Sequence, residues 1–468
     1  MKLLDTLKGL FPAVAQRQAQ DMNKVEDVTT DYDGGKTERG IQPEGSGEVK
    51  AGNITQSVLS TVTSLNDNSD IKEKIIKLFP DFQSINLSEA PGLVGAICHD
   101  LARWEHRSLP ELRPMAALNI VSLLCKQRLN GDGKQLSVFM IGIAPSASGK
   151  GDHIDYTNFL LSNLGLGDFV YSDPRSDKSI YLDLFESGGL VYLVDEVQGL
   201  FSGMLSKSSS EYTQSMLSLL MKLNTASSVT LPGNLQRELR IDNPTKLMPF
   251  LGFTGYSTPS ELSFILNEKN IHSGLLGRFV FFPGTHLRRP KRKNVSREIN
   301  EDVLNRCMRI AGEKSPVLMS DTALHALHMI DALFDQDEFL NHSRLGAIFA
   351  RGSEQVKRNS YLIGAEKGLV EKGDVLYALS LFVNSVESFL SPNQLDSLHI
   401  NHEAEALEVA KDCAQEWVLQ SVLANKMTKN RSVFRTMHKN SPRSHYKVIQ
   451  SLIERGALIA EGKKVKVA

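Results

Sequence analysis

Cysteine, long apolar runs and net charge are all scarce in this sequence, and each shortage excludes a class of protein. Four cysteines and two tryptophans occur among 468 residues, and the formal net charge is −1. The cysteines are widely separated and form no C-x-x-C pair, which argues against a disulfide framework or a zinc module and fits a reducing cytoplasm. No apolar run reaches the roughly 18 residues of a membrane-spanning helix. We therefore expect a cytoplasmic protein with no membrane partner, whose contacts with nucleic acid would come from local basic patches.

Changes in pattern along the chain predict six segments. They are an amphipathic N-terminal helix (1–22), a flexible acidic linker (23–56), a helical domain (57–128), a core of alternating strands and helices (129–285), a basic linker with a further helical domain (286–400), and a C-terminal domain (401–468). Alternation of buried strands with helices in the core predicts an α/β fold with a mostly parallel sheet.

The core holds a loop of small residues directly after an apolar run. Residues 138–143 read V-F-M-I-G-I, and the loop that follows ends in Gly-Lys. This is the layout of a phosphate-binding loop, in which backbone N–H groups surround a polyphosphate and the lysine reaches its outer phosphates. The predicted nucleotide-binding residues are Ala144, Pro145, Ser146, Ala147, Ser148, Gly149, Lys150, Gly151 and Asp152.

The loop departs from the usual pattern at two positions. Ala144 replaces the usual first glycine, which its small size allows. Gly151 replaces the Ser or Thr whose hydroxyl normally binds Mg²⁺. Taken alone, the segment is equally compatible with a small-residue turn that happens to contain Gly-Lys.

A second segment, about forty residues downstream, favours the phosphate-binding interpretation. Residues 190–194 read L-V-Y-L-V, a buried-strand pattern, and Asp195 and Glu196 follow it. At the end of such a strand Asp195 can hold Mg²⁺ through water, and Glu196 can polarise an attacking water molecule. The two segments together predict hydrolysis of a nucleoside triphosphate, with ATP and Mg²⁺ as the expected cofactors.

Two later segments offer residues that would complete the site. A strand predicted over residues 247–254 ends in Thr254, where a residue that senses the γ-phosphate belongs, and Ser257 is the second choice. Arg278 follows a glycine-rich turn and can reach the nucleotide of a neighbouring subunit, where it would stabilise charge in the transition state. The alternative for Arg278 is a structural arginine in a salt bridge.

Two basic segments are candidates for contact with nucleic acid. Residues 227–241 alternate around a Pro-Gly pair and predict a β-hairpin, from which Arg237 and Arg240 would touch a nucleic-acid backbone in the pore of a ring. A surface hairpin without a ligand is an equally good interpretation. Residues 286–297 are rich in Arg and Lys and broken by prolines, which predicts a loop or linker that is either solvated or bound to nucleic acid.

The sequence ends in a strongly basic segment. Residues 425–468 hold eleven Lys and Arg against two Glu, a local charge of +9. A short helix (432–438), a turn, a second helix (444–455), Gly456 and a hairpin (457–467) follow the order of a winged helix. Its second helix would enter the major groove of DNA, whereas a structural or protein-binding winged helix is the alternative. The predicted DNA contacts are Arg443, His445, Lys447, Lys463 and Lys464.

Several of these spaced motifs resemble one known family. They are the helical segment ending in residues 115–126, the loop 146–152, Y-S-D-P-R-S at 171–176, L-V-D-E at 193–196 and G-L-L-G-R-F at 274–279. Over roughly residues 85–400 the chain resembles a prokaryotic family of P-loop proteins that is common in phages, prophages and genomic islands (domain of unknown function 3987). It is also distantly similar to AAA+ ATPases of the superfamily 3 helicase type.

The resemblance implies an AAA+-like ATPase core with flanking helical domains, acting in replication as a ring helicase. It implies that Lys150 binds phosphate, Asp195 and Glu196 handle metal and water, and Arg278 is an arginine finger. The expected partners are single-stranded DNA in the pore, duplex DNA at the winged helix, further copies of the chain in a ring such as a hexamer, and a primase or another replisome protein. Two rival functions stay open. One is a DNA-dependent ATPase that does not unwind, such as a clamp, loader or anti-phage effector, and the other is a non-hydrolysing, nucleotide-gated DNA-binding regulator, which Gly151 favours.

Overall fold

The computed structural model describes residues 68–205, 211–226, 228–240, 246–247, 250–262, 274–284, 288–342, 345–390, 402–413, 416–430, 434, 444–454 and 456–467. All of them belong to one compact unit, Leu65–Ala468. The predicted N-terminal helix 1–22 and the predicted linker 23–56 lie outside the described residues, as does most of the predicted helix 432–438.

Helices open the described chain, and strands then alternate with helices. The first elements are α1 (Asn68–Leu78), α2 (Gly92–Trp104) and α3 (Arg113–Leu124). The alternating part consists of β1 (Phe139–Ile143), α4 (Lys150–Asn163), β2 (Val170–Tyr171), α5 (Asp177–Ser187), β3 (Leu190–Val194), α6 (Gln198–Leu205), α7 (Glu211–Thr225), β4 (Val229–Thr230), α8 (Gly233–Glu238), β5 (Lys246–Leu247), β6 (Leu251–Ser257), α9 (Pro259–Leu262) and β7 (Val280–Pro283).

A second helical part follows the alternating core. It consists of α10 (Glu301–Gly312), β8 (Leu318–Met319), α11 (Asp321–Phe334), α12 (Asp337–Leu340), α13 (Gly346–Phe349), α14 (Gly352–Ile363), β9 (Leu369–Val370) and α15 (Lys372–Leu390). The long helix α15 packs against β7. The backbone N–H of Phe281 donates to the Ser385 hydroxyl across this contact, at 2.8 Å. The helical part therefore covers one edge of the central sheet.

A five-stranded parallel sheet forms the centre of the fold, as the alternating pattern predicts. Its strands stand in the order β2-β3-β6-β1-β7, and each neighbouring pair is parallel. Every residue of β1, β3 and β6 is buried. Burial on both faces explains why β1 and β3 are continuous apolar runs instead of alternating ones. The prediction of an α/β fold with a parallel sheet is confirmed. Because β6 lies between β1 and β3, the end of β6 separates the predicted phosphate-binding loop from Asp195.

The predicted strand 247–254 is displaced towards the C-terminus in the structure. The observed strand β6 is Leu251–Ser257, whereas Leu247 belongs to the short strand β5. Small and polar residues in G-F-T-G-Y-S hide the continuation of the strand in the sequence. They fit because Gly255 faces Val197 so closely that an added Cβ would lie 2.8 Å from the valine side chain.

The predicted hairpin 227–241 is wrong. The Pro-Gly pair starts helix α8 instead of forming a turn, and β4 pairs antiparallel with the later strand β5. Pro232 directly precedes the first helical residue, Gly233. A proline is tolerated at the start of a helix because the N–H group that it lacks would have no partner within the helix. The segment is a strand–helix–strand excursion from the core.

The C-terminal elements pack around a hydrophobic core of their own. They are α16 (His402–Cys413), β10 (Val418–Leu419), α17 (Gln420–Asn430), α18 (Ser444–Glu454), β11 (Leu458–Glu461) and β12 (Lys464–Val467). The predicted second helix and the predicted hairpin are both present, and Gly456 between them has a φ of +73°. Strand β10 adds a third member to the hairpin sheet, in the order β10-β12-β11.

Among the described helices, none combines the length and the apolar composition that crossing a lipid bilayer requires.

Candidate functional site

A cleft of about 520 Å³ opens where the strands of the sheet end. Ile143 at the end of β1 is in register with Ser257 at the end of β6, and β3 ends beside them at Val194. In open parallel sheets, ligands bind outside the carboxyl ends of the strands. The cleft is lined by residues at the ends of β1, β3 and β6, among them Ser146, Lys150, Asp195, Glu196, Tyr256 and Ser257, and also by His106, Arg107 and Lys291.

The loop between β1 and α4 has the backbone shape of an anion-binding nest. Ala147 and Gly149 have φ values of +59° and +111°, both in the left-handed region. Such turns point successive N–H groups to one side, and α4 adds the positive end of its dipole. Two features of Gly149 disfavour a side chain there. Its backbone is left-handed, and an added Cβ would lie 2.9 Å from the backbone oxygen of Arg107. Strand, loop and helix thus occur in the predicted order, and the loop conformation is one that can surround phosphate.

Lys150, the first residue of α4, holds its amine between two strand ends. Its Nζ donates to the backbone oxygen of Ala144 at 2.8 Å and to that of Ser257 at 3.1 Å. Burial lowers the pKa of Lys150 to about 8, against the opposing attraction of Asp195 and Glu196. Two carbonyl oxygens are weak partners for an ammonium group, so an anion in the cleft would compete for Lys150 effectively.

Asp195 and Glu196 lie just past the end of β3, and both side chains are exposed. Glu196 has a φ of +56°, and its N–H donates to Asp195 Oδ1 at 3.0 Å. Within the described part of the chain neither carboxylate forms an ion pair. A left-handed backbone at Glu196, next to a second exposed carboxylate, marks a candidate functional position.

The residues of the cleft fit a Mg²⁺ ion that arrives with a phosphate ligand. No group of three or more His, Cys, Asp or Glu side chains among the described residues could hold a metal alone. Mg²⁺, however, is commonly held by one or two carboxylates, water and the phosphates of its substrate. Asp195 can supply the carboxylate, and the phosphate loop lies across the end of β6 from it.

The end of β6 places Ser257, not Thr254, in the cleft. Thr254 is 0 % exposed and pairs with Met140 and Leu193 in the middle of the sheet, so the prediction that it reaches a γ-phosphate is wrong. The error follows from the displaced strand, which continues for three residues beyond Thr254. Ser257, the second choice, lines the cleft, and its hydroxyl donates to Gln198 Oε1 at 2.9 Å.

Asp152 lines the cleft but is occupied by the protein itself. It accepts hydrogen bonds from the backbone N–H of His106 at 2.8 Å, from the His106 ring at 2.9 Å and from Arg297 at 3.1 Å. Burial opposes ionisation, but His106 and Arg297 lower the pKa of Asp152 overall. Its place in the first turn of α4 therefore anchors the helix, and it is not free to bind a ligand.

The basic segment is a strap across the site and not a free linker. We call residues 288–297 the basic strap. Arg288 donates to the backbone oxygen of Ser146 in the phosphate loop at 2.9 Å, and Arg289 makes a bidentate pair with Glu111 at 2.7 and 3.0 Å. The guanidinium of Arg297 stacks 4.6 Å from the centroid of the Trp104 ring. These three arginines are engaged by the protein, whereas Lys291 and Lys293 of the strap are exposed and Lys291 lines the cleft.

A buried ionic cluster lies beneath the loop, and no motif in the sequence predicted it. Glu105, which is 0 % exposed, accepts two hydrogen bonds from Arg113, at 2.7 and 3.0 Å, and lies 2.8 Å from His153 Nε2. Burial alone would raise the pKa of Glu105, but hydrogen bonds from His153 and Arg113 lower it to about 2. Glu105 and His153 stand 48 positions apart, so no local pattern could have paired them. The cluster ties α4 to the segment before α3.

Arg278 lies at the opposite edge of the sheet from the cleft. It precedes β7, and its Nη1 donates to the backbone oxygen of Gly274 at 2.6 Å. Burial lowers its pKa, helped by the neighbouring charge of Arg351. Arg278 therefore cannot act on the cleft of its own chain. The predicted contact with a neighbouring subunit stays a prediction.

The other predicted nucleic-acid contacts lie outside the cleft. Arg237 on α8 and Arg240 just after it are exposed, and Lys463 and Lys464 are exposed at the turn of the C-terminal hairpin. His445 and Lys447 belong to α18, whereas Arg443 lies outside the described residues.

No protein-family model matches the chain, and no curated protein is found to be similar to it. The fold and the site themselves define the class of the protein, which is a parallel α/β protein with a polar cleft at the carboxyl edge of its sheet.

Proposed function

We propose that the protein binds ATP with Mg²⁺ in this cleft, hydrolyses it, and uses the cycle to act on DNA as an oligomeric, helicase-type motor. The observation that carries the proposal is the convergence of three separate connections on one cleft. The left-handed loop with Lys150 follows β1, the carboxylates Asp195 and Glu196 follow β3, and Ser257 ends the strand between them. A cation next to an anion nest, facing two exposed carboxylates, suits a phosphate chain that carries a divalent metal.

Each residue of the cleft has a distinct part in this proposal. The loop N–H groups and Lys150 bind the outer phosphates, and Asp195 holds the metal through water. Bound Mg²⁺ would supply charge neutralisation of the phosphates. Glu196 orients the attacking water and accepts its proton, which its exposure to the cleft allows. Ser257 and its partner Gln198 lie between the two ends of the cleft and can respond to the terminal phosphate.

Action on DNA rests on exposed positive charge at two places. Arg237 and Arg240 stand on the excursion between β4 and β5, and Lys463 and Lys464 stand on the C-terminal hairpin. The C-terminal order of helix and three-stranded hairpin sheet supports a winged-helix domain that binds duplex phosphates. A role for Arg278 requires the proposed oligomer, because any nucleotide that it contacts must belong to another copy of the chain.

A DNA-dependent ATPase that does not unwind is the second candidate. The observation that favours it is the helix α8, which stands where a pore hairpin was predicted. A regulator that binds ATP without hydrolysing it is the third, because Gly151 offers the metal no hydroxyl.

The test is ATP turnover by the full chain with and without single-stranded DNA, for wild type, Lys150→Ala and the surface control Lys178→Ala. Turnover that DNA stimulates and that only Lys150→Ala abolishes supports a DNA motor. A forked duplex then separates a helicase from an ATPase that does not unwind. ATP binding without turnover would leave the regulator, and the absence of ATP binding would overturn the proposal.

A further inference from the structure

Tyr256 carries a buried hydroxyl at the cleft that the described part of the protein leaves unpaired. The residue is 0 % exposed, it lines the cleft, and its hydroxyl has no hydrogen-bond partner among the described residues. An unsatisfied buried polar group costs about 1–3 kcal/mol relative to a satisfied one. A phenylalanine would fill the same space without that cost, so the hydroxyl requires an explanation.

Other buried tyrosines show what the fold does with a hydroxyl that serves packing alone. Tyr156 donates to Asp100 at 2.9 Å, Tyr192 donates to Asp183 at 2.7 Å, and Tyr377 donates to the backbone oxygen of Leu87 at 2.8 Å. Each of these hydroxyls is satisfied inside the protein. The hydroxyls of Ser148, Thr157 and Thr254 are also buried without a partner among the described residues, but none of these three residues lines the cleft. Tyr256 combines an unpaired buried hydroxyl with a place in the cleft wall, and this combination points to a partner that arrives with the ligand.

The position of Tyr256 connects the two parts of the cleft that would hold a metal–triphosphate. It is the second-last residue of β6, which lies between the strand before the phosphate loop and β3, the strand that Asp195 follows. Its ring contacts His153 of α4 edge-on, at a centroid distance of 6.4 Å. Burial, and after it the charge of Asp195, raises the pKa of Tyr256, so the group stays a neutral hydroxyl at physiological pH.

The same region lacks a hydroxyl at Gly151. A Cβ built at Gly151 meets nothing within 4 Å among the described residues, so the first turn of α4 leaves open space where a Ser or Thr side chain would stand. We propose that Tyr256 is a positioning residue for the metal–triphosphate, whose hydroxyl binds a water molecule of the Mg²⁺ shell in place of the missing hydroxyl at Gly151. This inference rests on the proposed function, since it assigns one more residue to the same site.

The experiment separates metal-dependent from metal-independent affinity. The Kd of ATP is measured by calorimetric titration, once in excess Mg²⁺ and once in EDTA, for wild type and Tyr256→Phe. Tyr377→Phe, which removes a satisfied hydroxyl away from the cleft, is the matched control. We expect Tyr256→Phe to weaken binding about three- to tenfold in Mg²⁺ and to leave binding in EDTA unchanged, as loss of one hydrogen bond predicts.

A rescue variant excludes a merely structural effect. Gly151→Ser in the Tyr256→Phe background should restore most of the lost Mg²⁺-dependent affinity, because it returns a hydroxyl to the first turn of α4. Equal affinities of wild type and Tyr256→Phe in Mg²⁺ would overturn the inference, as would equal losses with and without the metal. If wild type binds no ATP in either buffer, or if Lys150→Ala binds as well as wild type, the proposed function itself fails.

Discussion

Two groups of charged side chains surround the cleft, and they differ in whether the protein itself neutralises them. The basic strap and the segment before α3 form pairs such as Arg289 with Glu111 and Arg113 with Glu105. At the strand ends, Lys150, Asp195 and Glu196 form no ion pair within the described residues. The paired charges build part of the wall of the cleft, and Lys291 of the strap also lines it, without an ion pair among the described residues. In the proposed function, the unpaired charges at the strand ends bind the ligand.

The unpaired group contains both positive and negative charges, which restricts the chemical class of ligand that it can bind. Lys150 lies at the anion nest, and Asp195 and Glu196 lie beyond the end of β6. A simple anion would satisfy only the lysine, and a simple cation only the carboxylates. A phosphate chain that carries a divalent metal would satisfy both, because phosphate oxygens and a carboxylate would hold the metal together. Changes in the unpaired group should therefore affect function, and changes in the paired group should affect stability.

The largest effect is expected for Glu196→Gln. Loss of a positioned general base lowers turnover by about 10²- to 10⁴-fold. Stability should hardly change, since the carboxylate is exposed and makes no ion pair within the described residues. Turnover is measured at saturating ATP, and unfolding is followed in urea. Turnover within about threefold of wild type would remove Glu196 from the chemistry.

Glu105→Ala should have the largest effect on stability. Removing one partner of a buried ion pair costs about 3–5 kcal/mol, here because Arg113 and His153 lose their partner. The pKa of Glu105 is lowered from 4.5 to about 2, so its stabilisation is complete above pH 4.5 and is lost as the pH falls towards 2.

Urea titrations at several pH values measure both features of Glu105. The half-exposed Glu111→Ala is the matched control and should cost about 1 kcal/mol or less. A Glu105→Ala protein that is as stable as the control at pH 7 would show that the buried cluster does not hold the wall.

Substitutions of two nearby glycines, Gly149 and Gly151, should differ in their effect on stability, and the difference should be of intermediate size. Gly149→Ala should cost about 1–3 kcal/mol, since Gly149 has a φ of +111° and its Cβ would lie 2.9 Å from a backbone oxygen. A Cβ at Gly151 meets nothing within 4 Å among the described residues, so Gly151→Ala should be neutral or stabilise α4 by up to about 1 kcal/mol. Thermal unfolding with and without ATP compares the two variants. Equal stabilities would contradict the loop conformation.

The smallest effect is expected for Arg297→Ala. The arginine pairs with Asp152 and stacks on Trp104, but its side chain is 38 % exposed, so water screens both interactions. The expected loss is about 0.5–1 kcal/mol in urea unfolding. Turnover should stay close to wild type, because Asp152 keeps its bonds to His106. A hundredfold loss of turnover would place the strap among the functional residues.

Local patterns predicted the sheet and most of the cleft. The apolar runs before Lys150 and Asp195 marked buried parallel strands, because such strands need no alternation. Their ends then had to meet at one edge of the sheet. The phosphate loop and the Asp-Glu pair could therefore be placed together from the order of residues alone.

Long-range packing decided the features that local patterns missed. Thr254 was misplaced because glycines at 252 and 255 conceal a strand that two neighbouring strands make continuous. The prediction of a hairpin at 227–241 was wrong because a Pro-Gly pair can begin a helix as well as a turn. Partners of the basic strap lie far away in sequence, as for Arg288 and Ser146, so their pairing leaves no local signal.

The proposed function depends first on whether the unpaired charges at the strand ends bind a metal–nucleoside triphosphate. Calorimetric titration of the full chain with ATP in Mg²⁺ tests it most directly, with Lys150→Ala as the variant and Lys178→Ala as the surface control. We predict saturable binding by wild type and the control, and a loss of at least about tenfold for Lys150→Ala, because a charge-assisted contact to phosphate disappears. Absence of binding by wild type, or equal affinity of Lys150→Ala, would contradict this role of the strand ends.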